Sequence, residues 1–214
     1  MFEAFAAFAV LVLVGGVGWT FMLRFRKDPL RSHSLSPIGS APEGKLIRVR
    51  GKVACSEPLK APYTGRLCAY FRLELLYRAS DKVFSRVHEA CRDFTVTDKT
   101  GAAQILSERA AVEVVADFVE MERASWLSPT GRAVLAELGW ELPEIASVEL
   151  CEAVIPIDGE IEVAGSATRE PGLGPVAGER GYREGPGGLL VFSGDTVLLG
   201  ERRERRWIGG TLRA

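Results

Sequence analysis

The run Lys45–Val53, KLIRVRGKV, decides the fold class, because apolar and charged residues alternate in it strictly. Ile47 and Val49 fall on one face of an extended chain, whereas Arg48 and Arg50 fall on the other. A period of two residues is that of a β-strand with one face buried and the other in water. The run therefore predicts a half-buried strand, and the rest of the chain can be interpreted by the same rule.

Similar extended runs recur at short intervals along the chain. Cys68–Tyr77, CAYFRLELLY, alternates apolar residues against Arg and Glu, and Val83–Asp98 ends in the alternating FTVT. The turn Asp98–Gly101, DKTG, leads to the short strand AAQIL, and Val112–Val119, VEVVADFV, predicts another strand. This spacing predicts a mainly β (α+β) domain with an antiparallel, OB-like or barrel-like sheet and one short helix.

The helix is predicted near residues 129–138, and the rest of the domain is extended or loop. Ser128 is a suitable N-cap, a proline follows at the first helical position, and Gly139 lies where the helix should stop. The glycine- and proline-rich stretch 171–188 predicts a loop. The run 189–199, LLVFSGDTVLL, predicts a hairpin.

The N-terminal run Ala4–Leu23, AFAAFAVLVLVGGVGWTFML, contains 20 uncharged residues. A helix of that length spans about 30 Å, the thickness of the hydrocarbon core of a bilayer. Only Glu3 is charged before the run, whereas basic residues follow it, so the positive-inside rule predicts a single-pass anchor with a cytoplasmic C-terminal domain, as in a bacterial inner membrane. A cleaved signal peptide would carry its basic residues on the other side. The residues expected at the membrane are Ala4, Trp19 and Leu23 in the anchor, and Arg24, Arg26, Lys27 and Arg31 at the lipid headgroups.

These patterns divide the chain into four parts. Residues 1–23 are the expected anchor, 24–43 a basic collar and a Pro/Ser-rich linker, 44–200 the β domain, and 201–214 a basic and apolar tail. The chain carries 27 Lys and Arg against 28 Asp and Glu, so no global field would attract nucleic acid. Membrane lipid and an unknown protein are therefore the expected partners, and neither nucleic acid nor a small-molecule substrate is expected.

No group of residues predicts a catalytic centre, a metal site or a cofactor. The pair His88 and Cys91 has a spacing of three, which places the two side chains on opposite faces of a strand. The four cysteines would be reduced in a cytoplasmic domain, but two disulfides with three possible connectivities would be allowed if the domain lay on the other side. These cysteines are Cys55, Cys68, Cys91 and Cys151.

Three stretches that follow the apolar run carry a resemblance to a known family. They are VRGKVACSEPLKAPYTGRLCAYFRLEL, FTVTDKTG and VELCEAVIPIDGEIEVAG. In this order they resemble the GIDE domain, also called BAM (beside a membrane), of MULAN-type mitochondrial E3 ubiquitin ligases and their prokaryotic relatives. The positions that match the pattern of the family are Gly51, Pro58, Ala61, Pro62, Gly65, Cys68, Tyr70, Asp98, Gly101, Glu152, Gly159 and Gly165.

The resemblance implies a domain beside a membrane, but not ligase activity in this polypeptide. In the ligases a second membrane helix and a RING follow, and a RING binds two zinc ions through eight Cys and His ligands. This sequence has four Cys and two His in total. We therefore expect a relative without RING and second span, which binds protein or lipid at the membrane surface without catalysis. The alternative is an accessory or split subunit that works with a RING-type E3 ubiquitin transferase.

Overall fold

The computed structural model describes residues 33–79, 81–114, 116–171, 188–193 and 198–200. Within these ranges the chain is mainly β, as expected, with one α-helix. No helix among the described residues is long and apolar enough to cross a membrane. The expected anchor, the basic collar from Arg24 to Arg31 and the tail 201–214 lie outside the described residues.

Twelve strands and the helix follow one another along the described chain. The strands are β1 (Leu46–Ala54), β2 (Leu59–Lys60), β3 (Leu67–Ala79), β4 (Lys82–Cys91), β5 (Phe94–Thr97), β6 (Ala102–Ile105), β7 (Ala111–Glu113), β8 (Phe118–Arg123), β9 (Ser147–Pro156), β10 (Glu160–Glu170), β11 (Leu189–Phe192) and β12 (Leu198–Gly200). Helix α1 (Pro129–Glu137) lies between β8 and β9.

Five strands close into a barrel-like ring, which confirms the coarse prediction. β1 pairs with β5, β5 with β6, β6 with β11, β11 with β10, and β10 pairs back with β1. The prediction of a purely antiparallel sheet is wrong, because β6 and β11 run parallel, as do β7 and β12. An odd number of strands cannot alternate in direction all the way around a ring, so closure through five strands requires a parallel pair.

The interior of the barrel is built from the alternation that the sequence shows. Ile47, Val49 and Val53 on β1 are at most 2% exposed, and they pack with Phe94 and Val96 of β5. The arginines between them stay at the surface, where Arg50 donates to Glu160 of β10 at 2.8 Å. The half-buried strand predicted at Lys45–Val53 is therefore confirmed.

A second sheet extends from the barrel, and the sequence did not show this division. In it β3 pairs with β9 on one edge and with β4 and the short β2 on the other, and β8 pairs with the far edge of β9. Tyr70, near the start of β3, belongs to the barrel core, whereas Leu73 and Leu75 belong to a second core. The two cores are thus connected by strands that run through both.

Helix α1 covers one face of this second sheet, and its predicted signals are confirmed. The Ser128 hydroxyl accepts the Gly131 N–H at 3.0 Å, and Gly139 has a φ of +65° just after the helix. Val134 and Leu135 are buried in the same core as Leu73 and Leu75 of β3. The apolar stripe of the helix is what encloses this core.

The second half of the predicted linker 24–43 belongs to the domain, so the linker expectation is wrong there. Ile38 is 1% exposed and Ala41 is 4% exposed, and both lie in the barrel core. Arg169 of β10 donates to the carbonyl oxygens of Ile38 and Gly39 at 2.9 Å each. A short 3-10 turn at Ile38–Ser40 has no strand or helix period, which explains why the sequence pattern suggested a spacer.

Two predictions about how strands are arranged are wrong. The run Val112–Val119 is divided between β7, which joins the barrel sheet, and β8, which joins the second sheet. The run 189–199 is not a hairpin, because β11 and β12 both pair antiparallel with successive parts of β10. In the first case the two apolar segments join different sheets, and in the second they follow one another along the same strand, β10, instead of folding back on each other.

Candidate functional site

One group of polar contacts is centred on Glu152, which is completely buried. Its side chain points from β9 to the loop after β2, where Oε1 accepts the Tyr63 N–H at 2.7 Å. Oε2 accepts the Thr64 N–H at 3.0 Å and the Thr64 hydroxyl at 2.5 Å. Glu152 is thus a buried carboxylate whose oxygens are both occupied by donors from one loop.

A second carboxylate, Glu120 on β8, joins the same loop to helix α1. The Tyr63 hydroxyl donates to Glu120 at 2.8 Å and lies 3.0 Å from the Ser128 hydroxyl. Glu120 also accepts the Ser128 N–H at 2.7 Å, and the Tyr63 ring stacks on Phe118 at 4.2 Å. Burial raises the pKa of Tyr63, and the neighbouring Glu120 and Glu152 raise it further against the lowering effect of Ser128. The phenol therefore remains a protonated donor that connects the loop to the helix cap.

These contacts are those of a structural clamp, because each carboxylate oxygen is taken up by a donor from the protein itself. A general acid or base needs an oxygen that can reach a substrate proton, and Glu152 has no exposed surface. The family resemblance marks Glu152 without indicating its contacts, and the structure shows that its carboxylate is buried. A Thr and a Tyr in a loop 88 and 89 residues away supply its partners.

The other matched positions of the loop surround this clamp. Ala61 and Cys68 are buried together with Phe71 and Val154, and the Gly65 N–H closes the loop on the Ala61 carbonyl at 2.9 Å. Gly65 has a φ of +68°, a conformation that favours glycine. Pro58 is exposed and Pro62 is half-buried on either side of β2.

The matched positions around Asp98 lie in the barrel and form a separate cluster. Oδ1 of Asp98 accepts the N–H and hydroxyl of Thr100 at 2.7 and 2.6 Å and the Gly101 N–H at 2.9 Å. Oδ2 accepts the Ile38 N–H at 3.0 Å. Burial raises the pKa of Asp98, but these hydrogen bonds outweigh it and lower the pKa below its usual value. Asp98 thereby fastens the segment before β1 to the β5–β6 turn.

The remaining matched positions have backbone or packing roles. Gly51 lies against the Thr97 carbonyl, 2.3 Å from where a Cβ would stand. Gly159 accepts the Val53 N–H at 2.9 Å in the turn before β10, Gly165 pairs with Ile47, and the Tyr70 side chain is buried. The structure therefore distributes the matched positions over two structural clusters and does not bring them together in one reactive site.

Three of the four thiols are poorly suited to redox or metal chemistry. Burial, more than any other effect, raises the pKa of Cys68 and Cys151 to about 11 each and that of Cys91 to about 12. A protonated thiol is a weak nucleophile and a weak ligand. Among the described residues no three His, Cys, Asp or Glu side chains are placed to hold a metal ion. His88 lies against the Phe71 ring, on the opposite face of β4 from Cys91, as its spacing predicted.

An exposed groove at the outer end of the second sheet is the feature that sequence reasoning missed. We call it the tip groove, and it has a volume of about 670 Å³. Its lining includes Val83, Met121 and Trp126, which are 60%, 64% and 68% exposed. Arg78 and Arg123 also line it, and the Arg123 guanidinium lies over the Trp126 ring at 5.4 Å from the ring centre. No apolar period distinguishes Met121 of β8 or Trp126 of the 3-10 turn Ala124–Trp126 in the sequence, so only their exposure in the structure reveals them.

Comparisons of this chain with protein-family models, with curated proteins and with solved structures found no match.

Proposed function

We propose that this chain is a membrane protein anchored by residues 4–23, whose β domain contacts the lipid surface through the tip groove and catalyses no reaction. The observation that carries the proposal is the exposure of Trp126, Met121 and Val83 in a groove whose charged lining consists of two arginines and two glutamates. A soluble surface rarely exposes large apolar side chains side by side unless they bind something. The anchor brings such a surface close to a bilayer.

The chemistry of the groove favours a lipid headgroup region as its partner. Tryptophan is enriched at the membrane–water interface, where its ring is apolar and its N–H is polar. Arginine can place its aliphatic stem along apolar surface and its guanidinium at phosphate oxygens. Among the described residues, salt bridges pair Arg48, Arg50 and Arg169 of the barrel with glutamates, whereas no salt bridge involves Arg78 or Arg123.

The proposal includes membership of the GIDE (BAM) family, to which the sequence is similar. The matched positions support it by their roles, since Glu152 and Asp98 each fix a loop that the three matching stretches contain. The order of strands around the ring also supports an OB-like scaffold. Around that ring the first strand neighbours the second and fourth, and the third pairs parallel with the fifth. OB folds serve as binding scaffolds in many proteins.

Quenching of tryptophan fluorescence by brominated lipids tests the proposal on the full chain. The chain is reconstituted into vesicles with brominated acyl chains, neutral or containing phosphatidylserine, and compared with Trp126→Phe. Brominated lipid should quench a smaller fraction of the tryptophan emission in Trp126→Phe than in the wild type. This difference should be larger in anionic vesicles than in neutral ones. Trp140→Phe is the matched control, because Trp140 packs against the second core.

Equal quenching in the wild type and in Trp126→Phe would refute lipid contact and would leave a protein as the partner of the groove. A topology reporter fused after Ala214 tests the anchor independently. A signal from the cytoplasmic side is expected, and a signal from the opposite side would contradict the predicted orientation.

A further inference from the structure

Strand β4 is a long edge strand whose outer side pairs with no described residue. It runs antiparallel to β3 over its whole length, from Lys82 opposite Ala79 to Cys91 opposite Tyr70, without a bulge. Edge strands are usually protected by a proline, a bulge, charged side chains or a covering segment, and of these β4 has, among the described residues, only the charged side chains Lys82, Arg86 and Glu89. β4, KVFSRVHEAC, contains neither proline nor glycine. Its exposed apolar side chains are Val83, Phe84 and Val87, at 60%, 40% and 43%.

The direction of the backbone groups shows which residues could bind another strand. Just after β4, the Arg92 N–H donates to the Ala69 carbonyl on the β3 side at 2.9 Å. In an antiparallel pair successive residues turn their N–H and C=O alternately toward one neighbour and the other. The even-numbered residues of β4 therefore face β3. The groups of Val83, Ser85, Val87 and Glu89 face outward.

We propose that β4 pairs antiparallel with β4 of a second copy of this chain, so that two second sheets become one continuous sheet. The symmetry is a two-fold axis perpendicular to the sheet, which makes both copies present the same strand. Such an axis keeps each face on its own side, so directly opposed residues must both be odd-numbered or both even-numbered. Backbone pairing of this kind is a common way for exposed edges to bind an extended segment.

The charges on β4 select one register. Only two permitted registers overlap over nine residues, and one of them opposes Arg86 to its own copy, which is unfavourable. The other centres on Val87, so that Val87 faces Val87, Ser85 faces Glu89 and Val83 faces Cys91. This register places the outward backbone groups directly opposite each other and brings the exposed valines into the joined sheet.

A second copy is the occupant that fits this edge best. The strand is self-complementary in the register above, with no like charges opposed within residues 83–91. The proposed anchor would also hold all copies in one membrane plane and in one orientation. This raises the effective concentration at which the β domains of different copies meet. The axis is perpendicular to the sheet, so both tip grooves would face the same side and could contact the same bilayer.

Site-directed crosslinking on the full chain in mild detergent tests the register. Two opposed hydrogen-bonded residues have Cα atoms about 5.5 Å apart, within the range of a disulfide. Val87→Cys should therefore give a disulfide-linked dimer on mild oxidation. Ser85→Cys is the matched control, because Ser85 and its copy would be four residues out of register, about 13 Å apart. Absence of the Val87→Cys dimer, or equal crosslinking of Ser85→Cys and Val87→Cys, would overturn the proposal.

A proline substitution tests the pairing itself without disturbing the monomer. Val87→Pro removes an N–H that faces outward and not toward β3, a place where edge strands tolerate proline. Sedimentation should show dimerisation at least about tenfold weaker than in the wild type, because two intermolecular hydrogen bonds are lost. Val87→Thr keeps the N–H and should dimerise like the wild type. A wild type that stays monomeric, or a Val87→Pro chain that dimerises equally well with an unchanged circular dichroism spectrum, would refute the proposal.

Discussion

Replacing Glu152 by alanine is expected to destabilise the fold more than any other single change at a charged residue of the second sheet. The side chain is completely buried, and it accepts three hydrogen bonds from Tyr63 and Thr64. Alanine would leave these donors without an acceptor and would open a cavity between β9 and the loop. The loop that carries the matched positions Ala61 to Gly65 would lose its hydrogen bonds to β9 and keep the contacts that Tyr63 makes with β8 and the pairing of β2 with β3.

The magnitude follows from the number of donors and from their exposure. A hydrogen bond to a charged acceptor contributes about 1.5–3 kcal/mol, so three would sum to several kcal/mol. Tyr63 and Thr64 are half-buried, so water can replace part of what is lost. We therefore expect a loss of about 3–5 kcal/mol, which corresponds to roughly 10 °C in melting temperature for a chain of this size.

Urea unfolding of the full chain in mild detergent, followed by near-ultraviolet circular dichroism, measures this loss. Glu152→Gln should lose less than alanine, because its carbonyl oxygen can still accept from Thr64 while its amide group opposes the Tyr63 N–H. Glu149→Gln is the matched control, since Glu149 lies on the opposite face of β9 and should change stability by less than about 0.5 kcal/mol. Hydrogen exchange should also show faster exchange of the Tyr63 and Thr64 amides in Glu152→Ala.

A small effect would refute this reasoning. If Glu152→Ala cost less than about 1 kcal/mol, similar to Glu149→Gln, the clamp would not hold the loop. The attachment of the loop after β2 to β9 would then not explain why residues of this loop match the family pattern.

Two further predictions concern the barrel. The pKa of Asp98 is lowered in the folded state, so its contribution to stability is present above the usual carboxyl pKa of about 4 and is lost as the pH falls through the lower folded value. In Asp98→Asn the unfolding free energy should therefore fall less steeply between about pH 5 and 2. Urea titrations across this range measure the slope, and a slope equal to that of the wild type would contradict the prediction. Gly51→Ala should cost about 2–3 kcal/mol by thermal unfolding, because the new Cβ would stand 2.3 Å from the Thr97 carbonyl oxygen. Gly101→Ala, whose Cβ would come no closer than 3.4 Å to another atom, is the control, and equal losses in the two variants would disprove the steric reason.

The sequence predicted those elements whose signal is local. The alternation of β1 placed Ile47 and Val49 inside, and the side chains of Arg48 and Arg50 face glutamates on β10. The cap at Ser128 gave the start of the helix within one residue. Such signals are reliable because they depend on the period of one element and on hydrogen bonds within a few residues.

The candidate site was much less predictable than the strands. Glu152 could be singled out only through the family resemblance, and nothing in its neighbourhood along the chain indicates that it is buried. No sequence pattern singled out Trp126 and Met121, because the sequence does not distinguish an exposed apolar residue from a buried one. Such positions become visible only when the packing shows which face is left uncovered.

By itself, the sequence determined the mainly β class and the helix at Pro129–Glu137. Only the tertiary structure decided that five strands close into a ring with a parallel pair, that segment 34–43 packs on this ring, and that β4 lies at the edge of the second sheet among the described residues. The physical reason is the range of the interactions. Side-chain periodicity is set within one strand, whereas ring closure, the burial of Glu152 and a free edge depend on partners many tens of residues away.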